Sequence, residues 1–160
     1  MKRKGTLWIL LFLAAFSVQA QSIFVVRHAD KAVNQGSNPS LSSKGMEQAQ
    51  RLKNLLVNKK ITHIYSTDTQ RTLQTGEPLS SALGISIEKY DASNQTVFIE
   101  NIKQMKTSVL IIGHSNTIHH LINAFAEEKV LDGPIDERVY EQLYEIKRKG
   151  KKPRWSVRNF

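Results

Sequence analysis

Ser22-Ile23-Phe24-Val25-Val26-Arg27-His28-Ala29-Asp30 is the stretch from which the fold can be read. Its apolar run is continuous and rich in β-branched side chains, which predicts a strand over 22–27 that is buried on both faces. Such strands belong to parallel sheets covered by helices, and the polar Arg-His pair falls at the carboxyl end, where those sheets bind ligands. About ninety residues later the pattern returns. Ser108-Val109-Leu110-Ile111-Ile112 is again fully apolar and runs into Gly113-His114-Ser115-Asn116-Thr117.

Working outward, His63-Ile64-Tyr65-Ser66 and Ile85 to Tyr90 supply two shorter strands, and Asn34 to Ser40 reads as a Gly, Asn, Ser and Pro loop. Ser42 is placed to cap a helix to about Asn58, in which Met46, Ala49, Leu52, Leu55 and Leu56 recur at helical spacing. Thr69 to Leu83 is helical in pattern, with a bend or restart expected at Pro78 and a stop at Gly84. Val97 to Met105 and Thr117 to Phe125 complete the helices. After Pro134, Tyr140 to Arg148 and Arg154 to Arg158 flank Lys149-Gly150-Lys151 as a hairpin. The expected architecture is α/β: a three-layer sandwich with a mostly parallel central sheet flanked by helices, and a C-terminal antiparallel hairpin at its edge.

Residues 1–20 stand apart from this pattern. Lys2, Arg3 and Lys4 precede an apolar run from Leu7 to Val18 and then Val18-Gln19-Ala20, the order of a secretory signal peptide. The run is about a dozen residues, whereas a membrane-spanning helix needs about 20. Cleavage after Ala20 is therefore expected, with export to the periplasm or medium and one domain over 21–160. Losing three bases leaves 20 against 14 acids, a formal charge of +6. No cysteine is present, so neither disulfides, a thiolate metal site nor a thioether lipid enters the picture.

The chemistry of the strand ends points to phosphoryl transfer. A histidine attacks phosphorus only when neutral, and neighbouring cations disfavour imidazolium. Arg27 beside His28, and Arg71 from Ser66-Thr67-Asp68-Thr69-Gln70-Arg71-Thr72, would supply those cations. Their planar guanidinium forks also match phosphate oxygens. His114 would add a donor, Ser66, Thr67, Ser115 and Asn116 are candidate substrate-binding residues, and the helix starting near Thr117 offers its N-terminus to an anion.

These segments resemble those of the histidine phosphatase superfamily, which includes phosphoglycerate mutases and phosphohistidine phosphatases. Arg27-His28 is similar to the family's Arg-His pair, Leu41 to Gly45 with Gln48-Ala49 to the start of its first helix, Ser66 to Thr75 to the segment with its second arginine, and Gly113-His114-Ser115 to its second histidine. The resemblance implies a phosphoglycerate mutase-like fold, phosphorylation of His28, and catalysis without metal or cofactor. The family's usual glycine after the histidine is Ala29 here, and the Asp30-Lys31 pair argues for a subgroup. The inserted segment that carries a glutamate acid in larger members has no counterpart in the roughly forty residues between Arg71 and His114. Asp30 is the first candidate for the general acid, Asp91 the second, with Asp136 or Glu137 beyond.

The leading expectation is an exported phosphatase that hydrolyses phosphomonoesters with His28, Arg27, Arg71, His114 and Asp30 as catalytic residues. The alternative is a weak or inactive phosphate-binding envelope protein. The partner is a small phosphorylated substrate; no nucleic acid and no stable membrane anchor after cleavage are expected. His119 and His120 lack a third ligand at recognised spacing, so no metal is expected. The cluster Lys147, Arg148, Lys149, Lys151, Lys152, Arg154 is a solvated turn or a weak contact with anionic envelope components.

Overall fold

Alternation of apolar side chains along the strands divides the protein into layers. The computed structural model describes residues 20–33 and 35–160, and the expected signal peptide lies outside the described residues apart from Ala20. Four strands are parallel: β1 (Gln21–Arg27), β2 (Ile61–Ser66), β3 (Ile87–Lys89) and β4 (Ser108–Gly113). Strands β5 (Gln142–Arg148) and β6 (Arg154–Asn159) follow antiparallel, giving the order β3-β2-β4-β1-β5-β6. Ile23, Val25, Val109 and Ile111 face one way, against Ile102 of α3 (Thr96–Gln104) and Leu121, Ile122 and Phe125 of α4 (Ile118–Ala126). Phe24, Val26, Leu110 and Ile112 face the other, against Leu52 and Leu56 of α1 (Ser43–Leu56) and Leu79 of α2 (Gln70–Leu83). The expected three-layer α/β sandwich with its edge hairpin is the fold. Among the described residues, all strands and helices and the two large core clusters lie within 21–160.

Two details depart from the sequence pattern. Helix α2 runs through Pro78 to Leu83 without interruption, because Gly76 and Leu79 on either side of the proline are packed on the sheet. Strand β3 is shorter than the apolar alternation suggests. Ile85 is drawn into the helix terminus instead, its N–H donating to the Ser80 carbonyl at 3.1 Å and its carbonyl accepting from Ser80 Oγ at 2.5 Å.

Strands β1 and β4 are neighbours, yet the chain leaves β1 for α1 on one face and β4 for α4 on the other. That divergence opens a crevice at their carboxyl ends. The floor of the crevice is set by how closely α1 approaches β1. Ser42 caps α1, accepting from the Gly45 N–H at 3.0 Å, and a Cβ on Gly45 would lie 2.0 Å from the Asp30 carbonyl oxygen. Only glycine allows that approach. Gly45→Ala is expected to force the helix away from β1 at about 1–3 kcal/mol, the usual cost of overpacking; thermal unfolding should register it as a Tm lower by several degrees.

Candidate active site

Pairing between β1 and β4 aligns Arg27 with Gly113, and the His28 N–H donates to the Gly113 carbonyl at 2.9 Å. The two histidines that follow are thereby brought side by side, with ring centroids 5.4 Å apart and ring planes at 64°. Gly113 is needed at this point because a Cβ would lie 2.6 Å from the Tyr90 hydroxyl. Around the pair lies a cavity of about 330 Å³ lined by Arg27, His28, Lys31, Arg71, His114, Ser115, Asn116 and Glu137. Strand ends far apart in sequence thus converge on one polar hollow.

His28 is almost completely buried, and its Nδ1 lies 2.8 Å from the Ala29 carbonyl. A carbonyl only accepts, so Nδ1 carries the proton and Nε2 keeps its lone pair. Burial pushes the pKa of His28 down to about 3; Arg27, Arg71 and His114 push the same way, and the Ala29 carbonyl opposes them. The result is a neutral imidazole among cations, as nucleophilic attack requires.

His114 is held from two sides. Arg71 Nη2 lies 3.4 Å from its Nδ1 and Thr67 Oγ1 lies 2.8 Å from its Nε2. Arginine only donates, so Nδ1 accepts and Nε2–H donates to Thr67. Thr67 Oγ1 passes its own proton to Thr72 Oγ1 at 3.1 Å, and that hydroxyl is within reach of the Thr67 and Thr69 carbonyls. Burial first, then Arg71 and Arg27, lower the pKa of His114 to about 4.

Arg27 Nη1 donates to the carbonyls of Glu137 at 2.8 Å and Val139 at 3.1 Å, and its guanidinium lies 4.1 Å from the centroid of the Tyr140 ring. It therefore ties the loop between α4 and β5 across the strand ends. Ser115 reinforces the tie, accepting from the Ile135 N–H at 3.0 Å and donating to Glu137 Oε1 at 3.2 Å.

Of the expected site residues, Arg27, His28, Arg71, His114, Ser115 and Asn116 meet at the cavity. Thr67 stands behind His114 and orients it. Ser66 is fully buried and donates to the Thr67 carbonyl at 2.9 Å, so it braces the strand end and does not line the cavity. Asp30 is not brought in either. Its carboxylate accepts from Ser42 Oγ, its N–H donates to Gln48 Oε1 at 2.7 Å, and its carbonyl accepts from the Ser42 N–H at 3.0 Å, all of which fix the start of α1.

The carboxylate that does line the cavity is Glu137. Asp91 accepts from the Ser93 hydroxyl and N–H, and Asp136 accepts from Arg138; both are held below the ordinary carboxylate range, which makes them poor proton donors. Lys31 and Tyr140 also belong to the site although sequence reasoning gave them no role there. Among the described residues, no three His, Cys, Asp or Glu side chains are grouped to hold a metal.

The sequence model of the histidine phosphatase superfamily (branch 1) matches residues 23–96, a span that carries Arg27, His28 and Arg71. That span is just under half of the chain, and over it the sequence resembles the histidine phosphatase superfamily. The chain is 26% identical over 117 residues to a probable phosphoglycerate mutase, GpmB, of Citrobacter koseri, covering 69% of this chain and 54% of that protein. It thus spans about half the length of that relative. Its fold is similar to the protein histidine phosphatase SixA solved with tungstate, with a TM-score of 0.70 at 17% identity over 87% of this chain and 97% of that one. It is also similar to a mycobacterial glucosyl-3-phosphoglycerate phosphatase, with a TM-score of 0.67 at 14% identity over 88% and 98% of the two chains.

The two buried neutral histidines leave a signature in stability. In the unfolded chain they titrate near pH 6.5, in the folded chain near 3 and 4. Between those values the unfolded chain binds protons that the folded chain refuses, so stability is full above about pH 6.5 and falls as pH falls through the window. Tm measured from pH 7 to 4.5 should decline for wild type, and His28→Asn should decline less over the same range.

Proposed function

We propose that the protein hydrolyses phosphomonoesters outside the cytoplasm through a phosphohistidine intermediate on His28. The observation that carries the reading is the neutral Nε2 of His28 at a cavity ringed by Arg27, Arg71, Lys31 and His114. Export rests on the order of residues in segment 1–20.

In the first step the Nε2 lone pair attacks phosphorus and the bond to the leaving oxygen breaks. Charge accumulates on the phosphoryl oxygens, where Arg71, Lys31 and the free edge of Arg27 meet it. The ring becomes positive as Nε2 is bonded, and the Ala29 carbonyl at Nδ1–H stabilises that charge. Glu137, the carboxyl group that lines the cavity, gives a proton to the leaving oxygen. In the second step water attacks phosphorus, its proton returns to Glu137, the P–N bond breaks, and Nε2 recovers its lone pair. The phosphate-binding alternative drew on the lack of an assignable acid and on the basic hairpin; in the hydrolytic reading Glu137 is the acid, because it is the carboxylate that lines the cavity.

Two measurements test this. Residues 21–160, treated with chelator, should release phosphate from p-nitrophenyl phosphate, and His28→Ala should lose that release; wild-type turnover in His28→Ala would sink the mechanism. Glu137→Gln should separate substrates by leaving group. An alkyl phosphate, whose leaving oxygen needs a proton, should slow by about 10²–10⁴-fold in kcat, the usual worth of general acid catalysis. The p-nitrophenyl ester, whose leaving group departs as an anion, should slow far less. Equal slowing of both would remove Glu137 as the acid.

A further inference from the structure

At the end of the sheet opposite the active site lies a second cavity, of about 260 Å³, lined by Gln21, Lys103, Met105, Lys106, Arg148, Lys149 and Gly150. Nothing in the phosphatase reading uses it. Three separate segments build it: the first residue of β1, the end of α3 with the turn after it, and the last residue of β5 with the hairpin turn. Gln21 pairs with Arg148 across the sheet and donates from Nε2 to the Ile102 carbonyl at 2.8 Å, which fixes the floor.

The rim is strongly basic. Lys103 and Arg148 are partly compensated, by Glu100 at 3.8 Å and Glu127 at 3.5 Å. Lys106, Lys149, Lys151, Lys152 and Arg154 form no ion pair among the described residues. Lys59 and Lys60, in the turn leading into β2, stand at the same end of the sheet. Beside the hairpin turn, Trp155 is 41% exposed and Val157 43% exposed on the edge strand, with the indole N–H donating to Glu128. Uncompensated lysines next to a half-exposed tryptophan are the composition that anionic membrane interfaces favour.

The active site lies at the other end of β1, about 20 Å away for seven residues at about 3.3 Å each.

We propose that this basic end is a docking face for an anionic phospholipid bilayer, which seats headgroup phosphates against Lys106, Lys149, Lys151, Lys152 and Arg154 and turns the histidine cavity toward the aqueous phase. The inference stands whether or not His28 is a nucleophile.

Sedimentation of residues 21–160 with vesicles of phosphatidylglycerol and phosphatidylcholine, against phosphatidylcholine alone, tests it. Binding to the anionic vesicles should be at least about tenfold stronger and should weaken steeply with salt, since each exposed cation adds to the attraction. Lys149→Glu with Lys151→Glu should abolish the preference while keeping the wild-type Tm. Lys44→Glu with Arg138→Glu, an equal charge change at the opposite end, should keep it. Equal binding to both vesicles, or equal loss in both double variants, overturns the proposal. Release of bound protein by millimolar inorganic phosphate also overturns it, because the headgroups would then be held in the histidine cavity.

Discussion

Everything at the site depends on the hydrogen bond from His28 N–H to the Gly113 carbonyl, which extends the β1–β4 ladder one residue past Arg27. Strand pairing fixes register to the residue, so this one bond places two imidazoles in edge contact although about ninety residues separate them. Gly113 lets Tyr90 and Ile118 close over the strand end without displacing it. On the other side, the Ala29 N–H donates to Thr75 Oγ1 at 2.9 Å, and that hydroxyl donates to the Arg71 carbonyl at 2.7 Å. The residue after His28 is thus tied to the turn of helix that carries Arg71. A shift of either strand would move all four functional groups together.

Much of this was legible in the sequence because the two central strands are apolar on both faces. Such strands have nowhere to go but the middle of a covered sheet, and the polar residues that end them must lie at its rim. Arg27, His28 and His114 follow from that alone, and Arg71 from its place at the start of the helix after β2. The carboxylate of the cavity was less legible for a physical reason. Proximity in sequence favoured Asp30, two residues past His28, but the chain turns there and commits that carboxylate to Ser42 and the start of α1. Glu137 and Tyr140 arrive from a loop whose local pattern carries no signal. Their position follows from topology: β5 pairs antiparallel with β1, so whatever precedes β5 must lie beside Arg27 and His28. The expected edge hairpin contained that information once its partner strand was known. Pro78 shows the converse, since tertiary packing of Gly76 and Leu79 carried the helix past a residue that local propensity marks as a break.

Thr67 illustrates how a side chain near a site acts on it indirectly. Hydroxyl groups at a strand end read naturally as phosphate donors, yet Thr67, Thr69 and Thr72 form a closed relay of hydrogen bonds that ends on backbone carbonyls. Its consequence is a fixed tautomer for His114, with Nε2–H turned inward and Nδ1 turned toward Arg71. Fixing the tautomer decides which partner the histidine can accept.

That tautomer also decides which ring nitrogens are acceptors at the strand ends. Nδ1 of His114 accepts from Arg71, and burial together with the Arg71 and Arg27 guanidiniums holds its pKa down to about 4. On His28 the assignment is reversed, because the Ala29 carbonyl accepts from Nδ1–H and leaves Nε2 with its lone pair. Burial among cations thus keeps both rings neutral, yet one ring retains an uncommitted lone pair while the other gives its own to a guanidinium.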